Sequence, residues 1–374
     1  MSYQEVTQQG FFSRLSSAFG GIIAGILMIL ISAVMLFWNE GHYVHRAQGL
    51  AEGKKLVKSV SPDKVDPAFE GKLVHLSGPA KAGQQGLKDT QFGVHSQALR
   101  LKRQVSMYQW VEHKSSRKRK KMGGGEETVT DYNYEKEWSE SHVSSSNFKQ
   151  SGHTNPTSMP FQSATLNDPQ ATLGAFQLHD DVLSDLSNFS PLHLESYRGA
   201  EGFRLDNGLL YRGSNSANPQ IGDLKVQFLV VQPGPISLVG AQQGGSLAPY
   251  VTKNGENILL VESGTHTAEE MFQTGARSNE TFTWILRLVG WVLMCAGFAA
   301  LFGPINVIAD ILPFIGDLVA LGTGTFGCLI GSALTLVVIA VGWVFARPLV
   351  GILMLGGAIA VVVGAFRLGK GRRG

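Results

Sequence analysis

Charge is scarce in this chain. Only 16% of its 374 residues are Asp, Glu, Lys or Arg, against about 25% in soluble domains, and the deficit is concentrated in a few long uncharged blocks. A wholly soluble, disordered or fibrous chain is thereby excluded, and the composition is that of a membrane protein with one water-exposed portion. Cysteine is scarcer still. Cys295 and Cys328 both lie inside apolar blocks, which leaves neither a disulfide framework nor a Cys-rich metal site. Also missing are a Gly-x-Ser-x-Gly nucleophile turn, a phosphate-binding Gly-x4-Gly-Lys-Ser/Thr loop and a His-Glu-x-x-His zinc helix. No familiar motif points to catalysis or to a cofactor. The expectation is a protein that is not an enzyme, with room in its large domain for an unfamiliar site.

What is present is apolar length. Gly20 to Trp38 is uncharged over 19 residues, about the length of helix that crosses a hydrocarbon core of roughly 30 Å. Three more such runs, Leu288 to Ile308, Leu318 to Phe345 and Leu349 to Phe366, crowd the end. The expected fold class is therefore a multi-pass α-helical membrane protein with four transmembrane helices and a large β-rich α+β extramembrane domain between spans one and two. The expected boundaries are a cytoplasmic segment 1–19, spans at 20–38, 284–308, 318–345 and 349–366, and the domain at 39–283. A short connection at 309–317, a tight turn at 346–348 and a basic cytoplasmic tail at 367–374 complete the plan. Pro304 inside span two predicts a kink. An even number of spans puts both termini on one side, and Arg367, Lys370, Arg372 and Arg373 mark it as cytoplasmic. Residues 39–283 carry 25 Lys and Arg against 26 Asp and Glu, which argues against a nucleic-acid partner.

Within the domain, Leu99 to Val111 and Thr128 to Trp138 alternate apolar and polar residues as two strands of a hairpin. Their connection holds Arg117, Lys118, Arg119, Lys120 and Lys121, then Gly123 to Gly125. That basic tip reads first as a solvated loop, and otherwise as a contact for anionic lipid headgroups, acidic partners or phosphates. Thr267-Ala-Glu-Glu270 has capping-box spacing and predicts a helix start. Tyr108, Trp110, Tyr132 and Trp138 read as the packed face of the hairpin. His42 and His45 would share a helix face and could bind a metal, but no acidic or Cys partners accompany them. Gly21 and Gly25, and Gly327 and Gly331, offer flat surfaces for close helix approach, either among the chain's own spans or between copies. Asp317 is placed to cap the helix of span three, and Asp310 to sit at the membrane interface.

Together these segments resemble the transmembrane protein 43 family, also called LUMA. The resemblance covers nearly the whole chain. It is carried by Asn39-Glu40-Gly41, Leu50-Ala-Glu-Gly53, Gly71-Lys-Leu-Val-His75, Met107-Tyr108-Gln-Trp110-Val-Glu112, Tyr132-Asn-Tyr134, Asn155-Pro156, Gly222-Asp-Leu224, Arg277-Ser-Asn279, Gly290-Trp291 and Asp310 to Val319 with its Asp317. It implies four spans, with the large domain in the endoplasmic-reticulum lumen or perinuclear space. Animal members are similar in organising the inner nuclear membrane, self-associating and contacting lamins and emerin, without established enzymatic activity. For a bacterial member the cytoplasmic membrane and a periplasmic domain take their place. The expected function is a non-enzymatic membrane-organising scaffold, in contact with membrane lipids, that self-associates and recruits partners. The rival reading is a lipid- or peptide-binding envelope protein with a pocket in the 39–283 domain.

Overall fold

The structure, a computed structural model, describes residues 2–346. The expected fourth span at 349–366, the turn before it and the basic tail lie outside the described residues. Among the described residues, three helices are long and apolar enough to cross a membrane, and they accompany a large β-rich domain.

In chain order the elements begin with β1 (Ser2–Gln9), α1 (Phe11–Leu56), β2 (Lys58–Ser59), β3 (Leu73–Lys81), β4 (Leu87–Asp89), β5 (Val94–Ser96), β6 (Arg100–Lys120) and β7 (Glu126–Ser139). There follow β8 (Ala164–Asn167), β9 (Thr172–Leu173), β10 (Phe176–Gln177), α2 (Asp180–Asp185), β11 (Ser190–Pro191), β12 (Arg204–Asp206), β13 (Leu209–Arg212), β14 (Leu224–Val231) and β15 (Gly234–Gln243). The chain continues through β16 (Ser246–Ala248), β17 (Tyr250–Val251), β18 (Asn257–Ile258), β19 (Leu260–Ser263), α3 (Ala268–Leu301), α4 (Gly303–Ala309) and α5 (Pro313–Ala346). An eight-stranded sheet runs β1-β7-β6-β14-β13-β12, with β8 on β6 and β11 on β14. A seven-stranded sheet runs β19-β15-β16-β10-β9-β3-β2, with β15 also paired to β3.

The chain divides into two compact units. The first holds the residues up to 5, 51–115 and 130–274. Alternation along β6 buries Leu101, Val105 and Met107, which meet Val226, Phe228 and Val230 of β14 around a fully buried Phe92. A second core joins Val74 and Leu76 of β3 to Leu238 of β15, Phe176 and Leu183. Each fully buried side chain of this kind contributes roughly 1.5–3 kcal/mol. Asn207 (φ 48°) and Gly208 (φ 78°) both adopt left-handed backbone between β12 and β13, the two-residue Asn-Gly hairpin turn that matches strand twist. At the start of α3, Glu270 N donates to Thr267 Oγ1 (3.3 Å) and Thr267 N donates to Glu270 Oε2 (2.8 Å), so the expected capping box is formed.

The second unit holds residues 6–50, 116–129 and the C-terminal part from 275, described to Ala346. Here α1, α3 and α5 pack together. The helices run further than the apolar runs that revealed them: α1 continues past Trp38 to Leu56, and α3 starts at Ala268 rather than near residue 284. Polar residues end an apolar run without ending a helix, because the backbone bonds continue through water-exposed turns. The kink expected at Pro304 is a break, with α3 ending at Leu301 and α4 opening at Gly303-Pro304. The N-terminal segment opens with a strand, and Gln4 Nε2 donates to Asp131 Oδ1 (2.7 Å) in the first unit.

Candidate functional site

The polar chemistry of the helical unit is gathered in two ion-pair clusters, 26 residues and about 39 Å apart along α1. The first joins the start of α1, the α4–α5 junction and the tip of the β6–β7 hairpin. Arg14, 8% exposed, donates from Nη1 to Gly124 O (2.7 Å) and from Nη2 to Asp310 Oδ2 (2.6 Å), with Glu126 Oε2 at 3.3 Å. Asp310 is 2% exposed and its second oxygen faces Lys120 Nζ at 2.7 Å. Lys120 also reaches Asp317 Oδ1 at 2.8 Å. Burial alone would lower the Lys120 ammonium, but hydrogen bonds and charge from Asp310 and Asp317 outweigh it and hold the group above its ordinary value. Gly123 N donates to Ile311 O (3.1 Å). Gly124 lies at φ 78°, with Phe11 so close that a Cβ would fall 2.6 Å from its ring, so the tip needs glycine there twice over. Gly316 leaves the space that Asp310 occupies, since a Cβ there would overlap Asp310 Oδ1.

The second cluster joins α1 to α3. Glu40, fully buried, accepts from Arg287 Nε and Nη2, both at 2.7 Å, in a bidentate pair. Beside it Asn39 Nδ2 donates to Thr283 O (3.3 Å). Gly342 of α5 closes over the pair, where a Cβ would stand 2.9 Å from that of Glu40. Gly41 is exposed with nothing near its missing side chain.

The glycines expected at close helix approaches make them within the chain. Gly25 approaches Gly297 so closely that a Cβ would be 2.7 Å from its carbonyl oxygen, and Gly21 faces Ala300 O. Gly327 and Gly331 sit against Ala299 and Cys295 of α3. Gly25, Gly327 and Gly331 are buried against the chain's own helices, and Gly21 is half-buried at the edge of the same contact. Of the basic run, Lys118 pairs with Glu126 (3.1 Å), Lys121 with Glu127 (2.7 Å) and Lys120 as above. Arg117, Lys118 and Arg119 are nonetheless exposed. Asp317 is not a cap, because α5 already begins at Pro313. Arg14 of the expected 1–19 segment and Lys120 of the hairpin tip are ion-paired to the same carboxylate, Asp310.

In the first unit, Tyr108 packs on Trp138 with ring centroids 5.2 Å apart, and Lys225 Nζ lies 4.6 Å over the Trp138 ring. Trp110 is bracketed by buried Asn155, whose Oδ1 accepts from Trp110 N (2.7 Å) and whose Nδ2 donates to Trp110 O (2.9 Å). An open groove of about 570 Å³ runs along this sheet, lined by Gln104, Ser106, Trp138, Glu140, Lys225 and others. Burial lowers the Lys225 ammonium, partly offset by Glu140. His42, far from a metal set, stacks on Trp38 (4.9 Å). A group absent from the sequence reading is His113, Glu135 and Glu137, whose donor atoms lie within 4.8 Å of one another; His113 Nε2 is 2.6 Å from Glu137 Oε1. Alternation along two paired strands was the signal that could have found it. Both His113 and Glu135 are exposed, so little holds them in ligand geometry.

A family model described as Transmembrane protein 43 matches residues 107–348. Transmembrane protein 43 of Homo sapiens is 35% identical over 372 residues, covering 96% of this chain and 92% of that protein. The Rattus norvegicus protein of the same name is 36% identical over 370 residues, covering 95% and 91%. The Transmembrane protein 43 homolog of Drosophila melanogaster is 31% identical over 346 residues, covering 89% and 91%. No solved structure matches.

Proposed function

Because the chain belongs to the transmembrane protein 43 family, we propose that it is a non-enzymatic membrane scaffold that self-associates and recruits partners at the membrane that holds it. The observation that carries the reading is the cross-braced helical unit. Close glycine approaches and the bidentate Glu40–Arg287 pair lock α1, α3 and α5 to one another, which suits a rigid anchor presenting a large folded domain. With Gly21, Gly25, Gly327 and Gly331 engaged internally, self-association falls to the outer helix faces or the domain. In an animal member the partners would include lamins and emerin at the endoplasmic reticulum and inner nuclear membrane. In a bacterium the setting is the cytoplasmic membrane with a periplasmic domain.

A second reading is favoured by the groove beside Trp138 and Lys225, whose aromatic, cationic and amide groups suit a peptide or lipid headgroup. The mass of the protein in native-lipid nanodiscs separates the two. A defined homo-oligomer supports the scaffold. A monomer carrying one stoichiometric ligand, lost on Trp138→Ala, overturns it in favour of the groove.

A further inference from the structure

We infer that the outer edge of β1 docks β1 of a second copy of this chain, the two strands pairing antiparallel about a two-fold axis at Val6. The inference rests on the self-association of the scaffold reading and names the surface that makes it. β1 ends the eight-stranded sheet: β7 lies on one side of it, and among the described residues no strand lies on the other. Its eight residues present an edge about 27 Å long. Tyr3 is 39% exposed and Val6 50%, and Gln4, Thr7, Gln8 and Gln9 are exposed with them.

An end strand carries a row of backbone N–H and C=O groups without ladder partners, and proteins ordinarily blunt it by brevity, by charge or by Pro. The other ends of the two large sheets show those devices. β12 is three residues long and holds Arg204 and Asp206, β19 is four long and holds Glu262, and β2 is two long and begins with Lys58. β1 has none of them: it is the longest of the four, lacks Lys, Arg and Pro, and holds one charge, Glu5. That charge is engaged within the chain, where Glu5 Oε2 accepts from Tyr132 Oη (2.9 Å) and Lys149 Nζ stands 3.6 Å from Oε1.

The occupant is a second β1 because the strand is complementary to itself. Antiparallel pairing centred on Val6 sets Val6 against Val6, Glu5 against Thr7, Gln4 against Gln8 and Tyr3 against Gln9. Apolar meets apolar, amide meets amide, and the two carboxylates stay apart. An axis at Glu5 would instead set like charges directly opposite, which destabilises a sheet. The contact is isologous, closes at two copies and satisfies both rows of backbone groups at once.

The test uses the full chain in lipid nanodiscs wide enough for two copies. With Cys295 and Cys328 replaced by Ser, Val6→Cys should be joined into a dimer by a short bis-maleimide. The yield should fall at Gln4→Cys, whose two copies stand four residues out of register, about 13 Å further apart. Val6→Lys sets two ammonium groups against each other at an exposed position, so the native mass should halve while the unfolding midpoint holds, and Val6→Thr should keep the dimer. An oligomer that keeps its mass in Val6→Lys, or that is not cross-linked through Val6→Cys, overturns this edge and leaves self-association to another surface. A wild-type chain that is monomeric overturns the edge and the scaffold reading together.

Discussion

Replacing Glu40 by Gln should be among the most damaging conservative changes in the helical unit. The substitution keeps the volume and one acceptor but removes the charge that two guanidinium nitrogens hold at 2.7 Å. At an effective dielectric of about 20, unit charges about 4 Å apart attract by about 4 kcal/mol. Breaking one partner of a buried pair costs roughly 3–5 kcal/mol. The Arg287 side chain keeps 16% exposure, against none for Glu40, so its orphaned charge can still reach water and the expected loss is near the lower figure, about 3 kcal/mol. Gly342 packs too closely over Glu40 to let the helices readjust. The assay is reversible unfolding in mixed micelles with increasing dodecyl sulfate. The double variant Glu40→Leu/Arg287→Met, which removes both charges, should recover most of the loss, since apolar replacement of a whole buried pair is about neutral. A cost for Glu40→Gln under about 1 kcal/mol, or a double variant as unstable as Glu40→Leu alone, would refute the assignment of the pair as a brace between α1 and α3.

Gly331→Leu should destabilise the monomer by about 1–3 kcal/mol, because a Cβ there already meets Cys295 Cα at 3.0 Å; a lower oligomer mass with unchanged stability would return that glycine to an interface between copies. His75 is 7% exposed, donates from Nε2 to His266 O (2.9 Å) and contacts Ser59 Oγ through Nδ1 (3.0 Å). Burial lowers its pKa despite the opposing carbonyl, so the unfolded chain takes up the proton first. Stability should fall as pH drops from about 6.5 towards the folded value and then level off, and His75→Gln should remove that slope; a flat wild-type profile from neutral to mildly acid pH contradicts it. Cys295 Sγ and Cys328 Sγ are 3.2 Å apart, so copper(II)-phenanthroline should draw two electrons from the pair, release two protons and join α3 to α5. Loss of maleimide reactivity, restored by reductant, checks it, and thiols that stay reactive would mean a different helix register.

The parts legible in the sequence were those written in local pattern. Apolar runs revealed α1, α3 and α5, alternation revealed β6 and β7, and three-residue spacing revealed the cap at Thr267. Long-range pairing was not legible. Glu40 and Arg287 are 247 residues apart, and nothing local says that either charge has a partner. The same holds for Arg14, the single basic residue in 1–19. The basic tip was legible as charge but not as structure, since two of its neutralising carboxylates, Asp310 and Asp317, belong to a distant part of the chain. β1 escaped because Ser2 to Gln9 is polar on both faces, and only pairing with β7 makes it a strand.

The bond between Arg14 and Asp310 closes a loop of 296 residues, and this has a consequence for synthesis. At roughly 5–20 residues per second, about 15 to 60 s separate the emergence of the arginine from that of its carboxylate. During that interval the start of α1 has no buried anion from the later helices, only whatever Glu126 supplies once the hairpin is made. The clasp is therefore a late event, available only to chains translated through α4, and a product ending before it leaves Arg14 with Glu126 but without its closer carboxylate.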